Sequence, residues 1–100
     1  MSSFKRLLLR MQPERAYSYI LRCADGTFYA GWTSDIAARV KTHNAGNGAR
    51  YTRGRRPVEL VYYEECINKV EACKREWELK KLTRKQKEEL ISAWQEASED

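Results

Sequence analysis

Residues 17–33 read YSYILRCADGTFYAGWT, and the length of the turn in their middle decides which side chains share a face of the fold. The flanks, YSYILRC at 17–23 and TFYAGWT at 27–33, are rich in aromatic and β-branched residues, and the ADG between them is a hairpin signal. A two-residue Asp25-Gly26 loop would pair residues whose numbers sum to an odd value, which sets Tyr19 and Tyr29 on opposite faces. A three-residue Ala24-Asp25-Gly26 loop, with Gly26 in the left-handed conformation, puts both tyrosines on one face. Any functional reading of the pair turns on that register.

Downstream, Ser34 is placed to cap a helix at about 35–44. Its apolar stripe is Ile36, Val40 and the side carrying His43, with Arg39 one position around the wheel. Arg39 and His43, four apart, are neighbours on the helix surface. NAGNGARYTRGRRP, residues 44–57, reads as a glycine- and arginine-rich connection. VELVYYEEC at 58–66 alternates and continues as a third strand. Asn68 with Glu71 is a capping-box pattern that opens a helix near 69–81, with Val70, Cys73 and Trp77 as its expected buried stripe and Glu76 at the stripe's edge. Thr83 and Gln86 repeat the pattern and open a last helix, buried through Leu90, Ile91 and Trp94. The order β-β-α-β-α-α defines a small α+β domain with a mostly antiparallel three-stranded sheet flanked by helices.

The chain has 100 residues, 42% hydrophobic and 33% charged, enough for one folded domain without metal or disulfide staples. Residues 16–98 are read as that domain and 1–15 as a flexible N-terminal segment. FKRLLLRM at 4–11 is basic then apolar, but too short in its apolar part for a signal peptide. No apolar run approaches the ~20 residues of a membrane span. Cys23, Cys66 and Cys73 are odd in number and lack C-x-x-C spacing. They are read as reduced thiols of a cytoplasmic protein, Cys23 and Cys73 in the core, with no zinc cage. Net charge is +5, and its distribution says more than its size. No acidic residue falls between Asp35 and Glu59, whereas Arg39, Lys41, Arg50, Arg53, Arg55 and Arg56 all do. A locally basic face on a mixed-charge protein is the footprint of phosphate contacts.

These pieces together resemble the GIY-YIG nuclease superfamily. YSY at 17–19 followed by YAG at 29–31 is similar to its paired motif, and IAARVKTHNAG at 36–46 to its arginine-bearing helix. GARYTRGRRPVELVYYE and EACKREWELKKL resemble the small stand-alone bacterial branch, related to the nuclease subunit of branched-DNA endonucleases. The first motif retains only its last tyrosine, Ala30 replaces the isoleucine of the second, and Trp32 stands where some relatives carry lysine. No asparagine after Glu76 corresponds to the one that closes the site in several relatives.

The resemblance implies catalytic roles for Tyr19, Tyr29, Arg39, His43 and Glu76. It also implies one divalent cation, Mg2+ or Mn2+, held by Glu76. The expected activity is hydrolysis of DNA phosphodiesters, on branched or damaged DNA in repair or recombination, with RNA left open. Lys41, Arg50, Arg53, Arg55 and Arg56 would lie on flanking phosphates, and Tyr51 would stack on an unpaired base. The chemistry is consistent with these roles. A single hard-oxygen ligand leaves most of a cation's shell for water and phosphate. Arginine forks onto phosphate oxygens as charge builds, and histidine exchanges protons near neutrality. The alternative is a nucleic-acid-binding module of the same fold that does not cleave. A protein partner is possible, and nothing in the chain identifies one.

Overall fold

The computed structural model describes residues 15–98; of the N-terminal segment 1–15 expected to be flexible, all but Arg15 lies outside the described residues. The elements are β1 (Ala16–Arg22), β2 (Phe28–Thr33), α1 (Ile36–Asn44), a one-turn helix α2 (Arg50–Arg53), β3 (Glu59–Cys66), α3 (Lys69–Lys81) and α4 (Arg84–Ser98). The sheet is antiparallel in the order β2-β1-β3. The expected α+β order therefore holds, with α2 added inside what read as a plain connection. Among the described residues no helix is long and apolar enough to cross a membrane.

The hairpin takes the three-residue loop. Cys23 N–H donates to the Thr27 carbonyl at 2.8 Å, and Gly26 N–H to the Cys23 carbonyl at 2.9 Å. Gly26 has φ +84°, where a side chain would be strained. Asp25 Oδ1 accepts from Thr27 N–H and from the Thr27 hydroxyl, closing the turn. The resulting register pairs Tyr19 with Gly31 and Leu21 with Tyr29. Tyr19 and Tyr29 thus lie on the same face.

Strand β1 is central and splits the interior in two. Ile20 packs with Ala30, Val61, Tyr62, Leu79 and Ile91, against α3 and α4. Tyr19, Leu21 and Cys23 pack with Val58 and with Ile36 and Val40 of α1. Buried on both sides, β1 reads as a near-continuous apolar run for that reason. The β1–β3 register shifts between Ile20 and Leu21, leaving Val61 as the extra residue of a bulge.

Three expectations about the helices need correction. Asp35, not Ser34, caps α1: its Oδ1 accepts from Ala38 N–H at 3.1 Å, its backbone is extended, and the helix begins at Ile36. Second, the stripe Val70, Cys73 and Trp77 faces outward. Val70 is 61% and Trp77 60% exposed, Cys73 is exposed, and the inward residues are Ala72 and Leu79. The spacing of the apolar residues misled because the helix is seated by one small residue, Ala72, and one large one, Leu79, neither in the expected stripe. Ala72 lets α3 approach β1 so closely that buried Ser18 donates its hydroxyl to the Ala72 carbonyl at 2.9 Å. Trp77 instead carries Lys81 Nζ 3.2 Å above its ring centre. Third, of the two thiols assigned to the core, only Cys23 is buried. The other signals hold. Asn68 caps α3, accepting from Glu71 N–H at 2.9 Å. Thr83 and Gln86 form a reciprocal box. Leu90, Ile91 and Trp94 of α4 pack on the core.

Candidate active site

Tyr19 is the centre of the site. Its phenol oxygen lies 3.0 Å from His43 Nε2, and both residues are buried, at 2% and 1% exposure. Opposite the phenol, on β2, is Gly31. A Cβ there would lie 2.5 Å from Tyr19 Oη and 2.7 Å from its ring carbon Cζ. The glycine of the second motif is therefore the space in which the first motif's tyrosine sits.

His43 reaches the sheet from the last turn of α1. Its other nitrogen, Nδ1, lies 2.8 Å from the hydroxyl of fully buried Thr52 in α2, which donates to the Ala49 carbonyl at 2.9 Å. Gly48 passes beneath the ring, where a Cβ would fall 2.3 Å from Nδ1. Thr52 and Gly48 were not singled out by the sequence reading. The only signal for Thr52 was its position in YTRG after a glycine-rich stretch, and a lone threonine in a loop carries no chemistry until a fold puts a histidine beside it.

Tyr29 completes an aromatic row. Its ring meets His43 edge-on with centroids 5.4 Å apart and stacks on Tyr51 at 6.0 Å. The Tyr51 ring is also covered by the Arg55 guanidinium, 3.9 Å from its centroid. Tyr51, expected to stack on a base, thus already has a cation on its ring.

Two charges bear on the phenols. Burial pushes the Tyr19 hydroxyl well above the usual phenol value, and Tyr29 and the Glu76 carboxylate add to the shift while Arg39 opposes it. Tyr29 is also raised, by burial and then by Glu76, again against Arg39. His43 is held below its ordinary value, first by burial and then by Arg39. At neutral pH the site therefore holds two protonated phenols and a neutral imidazole. Arg39 is exposed, and Glu76 is only 23% exposed at its side chain, with Lys80 at 3.9 Å its nearest cation among the described residues. The fold thus sets Arg39 and Glu76 to act on both phenols, Tyr19 and Tyr29, and Arg39 also on His43.

The basic connection divides by employment. Arg55 pairs with Asp25 at 3.0 Å and donates to the Tyr51 carbonyl, and Arg56 donates to the Arg53 and Asn44 carbonyls. Arg53 donates to the Gly48 carbonyl at 3.3 Å. These three fasten the loop that seats His43. Lys41, Arg50 and Arg39 are exposed and have no such side-chain partners among the described residues. Asn44, also unremarked in the sequence, pairs both its amide atoms with the backbone of Val58 and ties α1 to the entry of β3.

With this geometry in hand, comparison with known proteins is direct. The model of the GIY-YIG catalytic domain matches residues 15–89. The chain belongs to the GIY-YIG family. A UPF0213 protein of Clostridium perfringens is 57% identical over 77 residues, covering 77% of this chain and 83% of the relative. The UPF0213 protein YazA of Bacillus subtilis is 49% identical over 81 residues, 81% of this chain and 82% of the relative. The solution NMR structure of a UPF0213 protein from Bacillus halodurans is 47% identical with a TM-score of 0.51, covering 79% of this chain and 84% of that one. A solution NMR structure of an E. faecalis protein is 42% identical with a TM-score of 0.55, covering 82% and 88%. The GIY-YIG domain places the chain in a nuclease superfamily in general terms, with a nucleic acid as the general class of substrate.

Proposed function

We propose that this protein is a divalent-metal-dependent endonuclease that hydrolyses DNA phosphodiester bonds. The observation that carries the reading is the buried Tyr19–His43 pair, with Tyr29 beside it and both Arg39 and Glu76 acting on the same phenols. Two tyrosines and a histidine that merely packed would need neither charge.

The donor set suits a cation of the Mg2+ or Mn2+ kind. Among the described residues no three His, Cys, Asp or Glu side chains cluster, so Glu76 is a lone hard-oxygen ligand. Such an ion keeps most of its shell for water and substrate phosphate. When bound, it would neutralise phosphate charge and acidify a water. Arg39, exposed and without a carboxylate partner among the described residues, would fork onto non-bridging phosphate oxygens and strengthen its hold as negative charge builds. Tyr19 and His43 would carry the proton taken from the attacking water. Lys41 and Arg50, both exposed, would meet flanking phosphates. Branched or damaged DNA is the substrate form proposed, since a domain this small has little surface for reading sequence.

The test is cleavage of labelled linear, flapped and four-way-junction DNA with Mg2+, Mn2+ or chelator, with Glu76→Ala and Arg39→Ala run beside the parent. Metal-dependent cuts lost in both variants, with salt-sensitive binding retained by Glu76→Ala, is the expected result. DNA that is shifted on a gel and never cut would leave a binding module. Cleavage surviving in Glu76→Ala would remove Glu76 from the site.

A further inference from the structure

We infer that Thr52 is a positioning residue that fixes the direction of the proton path, holding His43 with its proton on Nδ1 so that the bare Nε2 receives the proton of Tyr19. The inference rests on the reading of Tyr19 and His43 as the proton-handling pair of the nuclease site.

The number of protons in the row sets its polarity. Three groups stand in a row, Tyr19 Oη, the imidazole and Thr52 Oγ1, with contacts of 3.0 and 2.8 Å, and the row ends on the Ala49 carbonyl at 2.9 Å. A carbonyl oxygen only accepts, and a hydroxyl has one proton to give. If Thr52 donates to Ala49, its oxygen faces Nδ1 as an acceptor, and Nδ1 carries the imidazole's single proton. Nε2 is then bare, and Tyr19 donates to it. This polarity uses all three protons in bonds of good length. In the opposite polarity Thr52 donates to Nδ1 and Nε2–H donates to Tyr19 Oη. In the resting site the Tyr19 proton is then left without a protein acceptor among the described residues, in a side chain that is 2% exposed, which is costly until a water enters.

The direction matters for chemistry. With Nε2 bare, the Tyr19 oxygen can take a proton from water as its own proton passes to Nε2, and the imidazolium that forms keeps Nδ1–H on Thr52 without rearranging. With Nε2 protonated, the histidine has nothing to accept with on that side. Thr52 touches neither substrate nor reacting atoms. It acts through His43, as the buried acceptors behind many functional histidines do. Its seat is specific as well. The one-turn helix α2 presents it, and Gly48 leaves the imidazole room to reach it.

His43 is the only histidine of the chain, so selective 15N-histidine labelling gives a single imidazole whose tautomer is read from long-range nitrogen–proton correlations in the full-length protein. The expected result is an Nδ1-protonated ring in the parent and in Thr52→Ser, and a substantial Nε2-protonated population in the near-isosteric Thr52→Val. In the cleavage assay Thr52→Val should lose at least about 30-fold in kcat, a general-base effect, while Thr52→Ser stays within about threefold of the parent. An Nε2-protonated ring in the parent overturns the inference, and so does Thr52→Val that retains the parent tautomer. If Thr52→Val does not fold, the parent and Thr52→Ser spectra still decide the polarity. The tautomer is measured without DNA, so a protein that cuts nothing would defeat the nuclease reading and leave the assignment of the proton standing or falling on the spectra.

Discussion

Gly31→Ala tests whether the second motif's glycine exists to seat the first motif's tyrosine. The added Cβ would lie 2.5 Å from Tyr19 Oη and 2.7 Å from Cζ, against an ordinary contact of at least 3.4 Å, so the phenol must retreat by about 0.9 Å. The ring is rigid and buried, and cannot swing out as the end of a long chain would. A displacement of that size takes Oη out of the geometry of its 3.0 Å hydrogen bond with His43 Nε2. Losing a buried bond with both partners left in place costs roughly 1–3 kcal/mol. Replacing a strand glycine by alanine returns about 0.5–1 kcal/mol of backbone entropy, and Gly31 is not at a positive φ that would oppose it. The net is a destabilisation of about 1–2 kcal/mol, or roughly 5–10 °C in Tm for a domain of this size. Cleavage should fall further than stability, by about 10²-fold or more, because the proton acceptor is displaced. Urea denaturation and the junction-cleavage assay, run on the same preparation, check both numbers. An alanine variant as stable and as active as the parent would refute the placement of the phenol against Gly31.

Two other outcomes follow from the same structure. Trp77→Ala should cost no more than about 1 kcal/mol, since the side chain is 60% exposed and loses little beyond its contact with Lys81. Trp94→Ala, which removes contacts to Tyr62, Tyr63 and the core, should cost about 2–3 kcal/mol; equal urea midpoints for the two variants would show that α3 is turned the other way. Stability should also depend on pH through His43. Its folded pKa is depressed, by burial and then by Arg39, so the unfolded chain takes up the proton first. The parent should therefore lose stability as pH falls below the ordinary imidazole value of about 6.5. Urea midpoints measured from neutral pH down to the start of the carboxylate range should show that slope, and His43→Gln should flatten it; a parent without the slope would mean that the imidazole is not buried.

Much of the fold was legible because its signals are local. A turn with glycine in the right place, two asparagine- or threonine-headed capping boxes and an alternating third strand each act over a few residues, and each has its expected bonding in the structure. The one-residue error at the cap of α1 is of the same local kind, since Ser34 and Asp35 are both good caps and only the chain's approach chooses between them. The facing of α3 was not legible. Periodicity reports where the apolar residues are, and here the helix is seated by Ala72 against Ser18, a contact between two small residues 54 positions apart.

The same division runs through the site. By itself the sequence determined the hairpin, the helix that carries Arg39 and His43, and the residue types that a phosphodiester nuclease of this family needs, because motifs and turns are written in short stretches. The tertiary structure decided that Tyr19 meets His43 at Nε2, that Thr52 stands behind the imidazole, and that Glu76 and Arg39 act on the same phenols. It also decided which arginines are spent on holding the loop and which stay exposed without such partners among the described residues. A proton path requires atoms within about 3 Å and a fixed polarity of donors, and both arise only when segments distant in the chain are packed together.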